Sequence, residues 1–122
     1  MATSSEEFKE RTKKFAVRTI RLVDALPVRR STEVIARQLL KSATSVGANY
    51  RAACRGRSDA EFIAKLGIVE EEADESAFWL EVLVEANIVK EELVANLHQE
   101  ANEIVAMVVA SIKTTRARMN QR

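Results

Sequence analysis

Cys54 and His98 are the only residues of their types in the sequence, and a cysteine beside a histidine can act as a catalytic nucleophile. Nothing in the sequence brings these two side chains together, and no glycine-rich turn is present to stabilise an oxyanion. The alternative for Cys54 is a small residue that packs inside the fold. We therefore predict that the protein has no catalytic cysteine–histidine pair.

Carboxylates are concentrated in the middle of the chain, and a helical protein rich in carboxylates can hold a di-iron site. A di-iron site requires inward-facing glutamates and two Glu-x-x-His pairs, whereas Ala95 stands three residues before His98. The sequence also lacks a phosphate-binding loop, a nucleotide fingerprint and zinc-ligand spacing. On a helix the central carboxylates spread around most of the circumference and do not converge; they are Glu70, Glu71, Glu72, Asp74 and Glu75. We predict no metal, no cofactor and no enzymatic activity.

Positive side chains recur along one face of the segment that precedes Gly56, and such a row can follow the phosphates of RNA or DNA. The alternatives are an ordinary solvated face or a partner for the acidic third helix. Tyr50 falls on the opposite, core side, so no aromatic platform accompanies the row, which argues against sequence-specific recognition of single strands. On the second predicted helix, α2, near residues 31–55, this set is named the α2 basic row: Arg37, Lys41, Arg51 and Arg55, with Arg57 just beyond Gly56.

A polar stripe lies on one flank of the same segment with spacings of four, three and four residues. These residues could line a ligand site, but a stripe of this kind more often forms interhelical hydrogen bonds that fix helix register at the edge of a core. We favour the structural role. The stripe consists of Gln38, Ser42, Ser45 and Asn49.

The composition of the 122-residue chain is that of a single all-helical domain. It has one proline and three glycines, and aromatic residues make up 5%. No apolar run approaches the ~20 residues of a membrane span, and no signal peptide is visible after Met1. A lone cysteine suggests a reducing compartment, so we expect a cytoplasmic protein without membrane contact.

Apolar residues recur at three- and four-residue intervals in four segments, which predicts helices near residues 5–26, 31–55, 58–86 and 90–113, followed by a basic tail, 114–122, that frays. We expect Gly56 to end the second helix in the left-handed conformation, and Ser58 to begin the third with a capping box to Glu61. We expect caps at Ser4 or Ser5 and at Ser31 or Thr32, and no strong cap in the turn at 87–89. Short connections make this an antiparallel up-down-up-down four-helix bundle.

The predicted third helix is apolar on two sides, which is typical of a helix buried on two sides. Phe78 and Trp79 point about 100° apart on a helix and cannot face the same core. In a small bundle the second burial comes most simply from another subunit. The predicted oligomer interface, the α3 outer face, comprises Ala64, Ile68, Glu71, Glu75, Phe78, Trp79 and Val82. Its acids could meet Lys14, Arg18 or Arg21 of a neighbour.

Charge is unevenly distributed along the chain although the net charge is only +1. Residues 1–57 carry a net charge of +8, residues 58–112 carry −11, and residues 113–122 carry +4. The basic half could meet nucleic acid, or it could meet the acidic half within one molecule or across subunits. Pairing of the basic half with the acidic half, within one molecule or across subunits, requires no further partner.

The ordered set Ser45-Val46, Asn49, Arg57-Ser58 and Glu61-Phe62, preceded by Gln38-Leu39 and followed by Glu75, resembles a known family. It is similar to the bacterial four-helix-bundle proteins encoded by intervening sequences of large-subunit ribosomal RNA genes, to which accessory proteins of diversity-generating retroelements look related. The chain departs from the family at Ala52-Ala53, where Glu-Gly is common, and at Glu71-Glu72, where Gly-Ser is frequent.

The resemblance implies a four-helix bundle that assembles as a ring-like homopentamer without enzymatic activity. It also implies that the retroelement relatives bind nucleic acid and a reverse transcriptase. Two functions remain for this chain. One is an oligomeric scaffold that binds RNA or DNA through the α2 basic row, with or without a protein partner, and the other is a purely protein-binding homo-oligomer.

Overall fold

A computed structural model describes residues 4–122, and within that range the chain forms four α-helices and no strand. They are α1 (Ser5–Asp24), α2 (Arg30–Cys54), α3 (Asp59–Glu85) and α4 (Glu91–Asn120). Each helix contacts the next, and α1 contacts α4, whereas the diagonal pairs do not touch. The predicted four-helix bundle is confirmed.

Contacts between side chains show that neighbouring helices are antiparallel. Phe8, near the start of α1, packs edge to face on Tyr50, near the end of α2, with ring centroids 4.5 Å apart. Asp59, at the start of α3, meets Arg118, near the end of α4. The starts of α1 and α3 and the ends of α2 and α4 therefore share one end of the bundle, which we call the turn end after the α2–α3 turn.

The buried interior is built from the apolar stripes of all four helices. Phe15, Leu39, Leu80 and Ile104 are fully buried, one from each helix. Thr12 and Thr19 are buried as well, and each hydroxyl donates to the carbonyl oxygen of the preceding turn, which satisfies it without a tertiary partner. The α1 stripe can therefore carry polar residues without losing hydrogen bonds.

Gly47 lets α1 and α2 approach closely. A Cβ atom at this position would lie 3.3 Å from the backbone carbonyl carbon and oxygen of Thr12. Backbone atoms cannot move aside as a flexible side chain can, so only glycine fits without a shift of the helix. The side of α2 that carries Gly47 is thus the side that faces α1.

The α2–α3 turn confirms one predicted cap and corrects another. The Ser58 hydroxyl accepts from the Glu61 amide at 3.1 Å, and Glu61 in return accepts from the amide of Arg57 at 2.7 Å. The left-handed conformation expected of Gly56 is wrong, since no described glycine has a positive φ. Glycine is needed here because a Cβ atom would lie 3.1 Å from the Ala53 carbonyl oxygen.

The α3–α4 turn is better capped than the sequence indicated. Asn87 adopts a positive φ of 58°. Its amide donates to Val84 O at 2.9 Å and the Ile88 amide donates to Leu83 O at 3.0 Å, which is the bonding of a Schellman motif. Asparagine tolerates this conformation better than most residues, and that preference was the missed signal.

Two helix ends differ from the prediction. Helix α2 is flanked by Arg29 with no side-chain cap, because Thr32 is buried inside the first turn and Ser31 is already helical, whereas Ser4 caps α1 as expected. The fraying expected of residues 114–122 is wrong, since α4 continues to Asn120. Thr115 is buried in this extension, so the last turns of α4 have a packing contact that their polar sequence did not indicate.

Candidate interaction surfaces

The α2 basic row lies on the solvent side of the bundle, and all five of its members are exposed. Among the described residues none of the five takes part in an ion pair. Ten residues separate Lys41 from Arg51, which is about 15 Å along the helix axis. The row is therefore two clusters, Arg37 with Lys41 in the middle of α2 and the other three at the turn end.

Lys41, one member of the row, interacts electrostatically with the acidic helix α3 beside it. Burial raises the pKa of Glu72, the charge of Glu75 raises it further, and the charge of Lys41 opposes both effects. Lys41 is therefore close enough to α3 to offset part of its negative charge.

The α3 outer face is exposed in part, since Trp79 and Val82 are half-buried and pack against the core. Ala64, Ile68, Glu71 and Phe78 are exposed, and Phe78 keeps 52% of its surface in solvent. Trp79 is half-buried, and its Nε1 donates to Glu75 Oε2 at 3.2 Å. Phe78 packs edge to face on Trp79 with ring centroids 4.9 Å apart, so the exposed Phe78 ring lies over a tryptophan that itself packs against the core.

The outer face of α1 is a second apolar patch, and the sequence reasoning did not single it out. Val17 and Ile20 are 39% and 42% exposed. Lys13, Lys14 and Arg21 lie exposed on the same side of the helix, where Lys13 pairs with Glu10 at 3.2 Å and Asp24 is also exposed. The sequence does contain a signal for this patch, because Val17 and Ile20 both lie outside the helical arc of the α1 core stripe. We call this set the α1 outer face.

An ion cluster between α1 and α4 could not be found from the sequence. The Arg11 guanidinium donates to both carboxylate oxygens of Glu100, at 2.7 and 2.8 Å, and to Glu103 at 2.6 Å. Its third nitrogen lies 3.1 Å from the sulfur of Met107. The hydrogen bonds to Glu100 raise the pKa of Arg11 above its ordinary value in spite of partial burial, and Glu103 adds to the effect. The cluster fastens the two helices together.

The predicted polar stripe forms one interhelical hydrogen bond. Ser42 and Ser76 are fully buried, and their hydroxyl oxygens are 3.0 Å apart across the α2–α3 contact. Asn49 bonds within its own helix instead, donating to Ser45 O at 2.9 Å. The structural role is confirmed at Ser42, which fixes the register of α2 against α3.

Cys54 and His98 lie in different parts of the bundle. Cys54 closes α2 at the turn end beside Tyr50, whose pKa is raised first by burial and then by the hydrogen bond with Cys54. His98 is 2.8 Å from Glu81, toward the opposite end. Within residues 4–122 no three histidine, cysteine or acidic side chains are grouped to hold a metal ion. The structure does not bring a catalytic pair together.

Comparison with known proteins places the chain in a family. The model of the family described as 23S rRNA-intervening sequence protein matches residues 5–110. The chain belongs to this family. A crystal structure of a protein of unknown function from the S23 ribosomal protein family of Bacteroides thetaiotaomicron is 35% identical, covering 86% of this chain and 97% of that one, with a TM-score of 0.80. A search of curated proteins found no significant match.

For this member of the 23S rRNA-intervening sequence protein family, the match includes the α2 basic row, the α1 outer face and the α3 outer face. It stops at residue 110, so the last turns of α4 lie outside it. In the described part of the chain none of the helices has the length and apolar character needed to cross a membrane.

Proposed function

We propose that this family member is a non-enzymatic interaction protein that assembles with copies of itself. The observation that carries the proposal is the match between two outward faces of one subunit. The α1 outer face is apolar with basic neighbours, and the α3 outer face is apolar with acidic neighbours. Apolar surface in the centre and opposite charges at the rim are what a specific interface needs.

The two faces lie on diagonal helices that do not touch within the subunit. One subunit cannot bring them together, so α1 of one copy would meet α3 of the next in a head-to-tail contact. Contacts of this kind close into a ring when the rotation allows. The family resemblance supports a ring of five.

Phe78 provides the sharpest test of the assembly because it is exposed in the subunit, so its replacement leaves the core intact. Covering a side chain of this size contributes roughly 1.5–3 kcal/mol per interface. We expect Phe78→Asp to shift the mass in light scattering toward the monomer while the helical circular dichroism is unchanged. The matched control is Leu93→Asp, which changes a residue of similar exposure on α4; it should leave the mass as in the wild type. Equal dissociation by both variants would refute the proposed interface.

A second candidate function, binding of RNA or DNA, is supported by the α2 basic row, whose five exposed cations have no ion-pair partner within residues 4–122. Binding through phosphates releases counterions and weakens as salt rises. We expect retention of duplex RNA or DNA at about 50 mM salt that is lost by about 200 mM. No binding at the lower salt concentration would leave a purely protein-binding assembly.

A further inference from the structure

The last turns of α4 bring positive charge to the turn end of the bundle. Arg118 Nη2 lies 3.2 Å from Asp59 Oδ1, and Arg122 Nη2 lies 2.7 Å from Asp59 Oδ2. Burial alone would raise the pKa of Asp59, but the hydrogen bond from Arg118 and the charges of both arginines hold it below its ordinary value. One carboxylate thus faces two guanidinium groups, and the pair of helix ends keeps a net positive charge.

Most acidic side chains at the turn end bind a partner that lies three or four residues away in the sequence. Glu6 pairs with Lys9 at 3.0 Å, and Glu10 pairs with Lys13 at 3.2 Å. Glu61 accepts from the backbone amide of Arg57. Of these exposed carboxylates at the start of α1 and α3, only Glu7 has no such cation or amide beside it within residues 4–122. The cations of α2, the turn and α4 outnumber these carboxylates, so the turn end carries more positive than negative charge.

Five exposed cations at the turn end have no ion-pair partner in the part of the chain that the structure describes. Three come from α2 and the turn, and two come from α4: Arg51, Arg55, Arg57, Lys113 and Arg116. We call them the turn-end cations. The sequence predicts the first three along one row, Lys113 at the end of the fourth helix and Arg116 in a frayed tail.

Shared recesses show that the α2–α3 turn and the end of α4 are neighbours. Arg57 and Arg118 line one recess of about 390 Å³ together with Gly56 and Ser58. On the other side of the α3 start, Arg116 lines a recess with Ala60 and Ile63. Of the aromatic rings of this region, Tyr50 and Phe8 are buried, and Phe62, which lines the first recess, is half-buried against the core. The surface therefore offers exposed cations for phosphates but no fully exposed ring on which a base could stack.

We propose that the turn end is the nucleic-acid contact of this protein, and that it binds the phosphodiester backbone of a duplex through the turn-end cations. Lys113 and Arg116 belong to the contact, whereas Arg37 and Lys41 do not, because they are a further 15 Å or so along α2. The inference rests on the second candidate function and narrows its site. Arginine and lysine beside a phosphate backbone give affinity without reading sequence.

Three double variants that remove the same charge test the proposal: Lys113→Ala with Arg116→Ala, Arg55→Ala with Arg57→Ala, and Arg37→Ala with Lys41→Ala as the control. Fluorescence anisotropy would measure their affinity for a duplex RNA and a duplex DNA of one sequence over a salt series. Each turn-end pair should lower the slope of log affinity against log salt by about 2, whereas the control pair should leave the slope unchanged. The duplex that binds with the higher affinity, RNA or DNA, identifies which phosphodiester backbone the turn end prefers.

Three other results would overturn the proposal in distinguishable ways. If only the control pair changes the slope, the middle of α2 binds the nucleic acid, so the broader candidate function survives and the turn-end site is wrong. If all three pairs reduce the slope equally, binding follows net charge and no localised site exists. If the wild-type protein binds neither duplex at about 50 mM salt, the candidate function and the turn-end site fall together.

Discussion

Single side chains hold the bundle together where extensive packing is absent. Helices α1 and α4 share the least extensive of the four helix–helix contacts, and Arg11 connects them across 89 residues of sequence. Glu100 is 14% exposed, so its charge is largely removed from water and depends on this partner. Between α2 and α3, which share the most extensive contact, Ser42 and Ser76 add an uncharged hydrogen bond to the packing.

Arg11→Met should destabilise the protein, because it keeps most of the apolar stem and leaves Glu100 without its partner. Loss of a hydrogen-bond partner to a charged, mostly buried group costs about 1–3 kcal/mol. Urea unfolding at fixed protein concentration would measure the change. Arg37→Met, at an exposed site without an ion pair, is the control and should alter stability by less than about 0.5 kcal/mol. Equal effects of the two variants would show that the Arg11 cluster contributes nothing.

The helices could be predicted from their apolar stripes, but several of their ends could not. The stripes extend over many residues, so local ambiguity averages out. A helix end depends on one or two contacts with distant residues, as at Thr115 and Asp59, which hold the last turns of α4. The same limit applies to surfaces: the outward face of α3 follows from periodicity, whereas the link between α4 and the α2–α3 turn depends on packing.

Asp59 makes the end of α4 sensitive to acid. Its pKa in the folded protein is below the ordinary value of 3.8, so its stabilising effect is present above that value and is lost as the pH falls through the lowered pKa. NMR chemical shifts of residues 116–120 should move toward random-coil values over that acidic range. Asp59→Asn should show the same loosening at neutral pH. Shifts that remain helical in Asp59→Asn would mean that the arginine contacts do not hold the helix end.

At the scale of the whole molecule the bundle separates opposite charges. The α1 and α2 segments carry most of the positive charge, and α3 carries a dense group of carboxylates, while the net charge stays near zero. A nearly neutral molecule with separated charges is suited to binding copies of itself. On this account the α1 and α3 outer faces serve assembly and the turn end is left for another partner.

The most direct test of the assembly is a cross-link between the two faces that the proposal joins. One chain would carry Cys54→Ser and Ile20→Cys, and a second chain would carry Cys54→Ser and Phe78→Cys. Each chain then has a single cysteine, so a disulfide must join two chains, and it forms readily only where positions 20 and 78 meet across an interface. The account predicts a covalent dimer on mild oxidation of the mixture and none when Leu93→Cys replaces Phe78→Cys. A wild-type protein that is monomeric at micromolar concentration, or equal cross-linking at position 93, would contradict it.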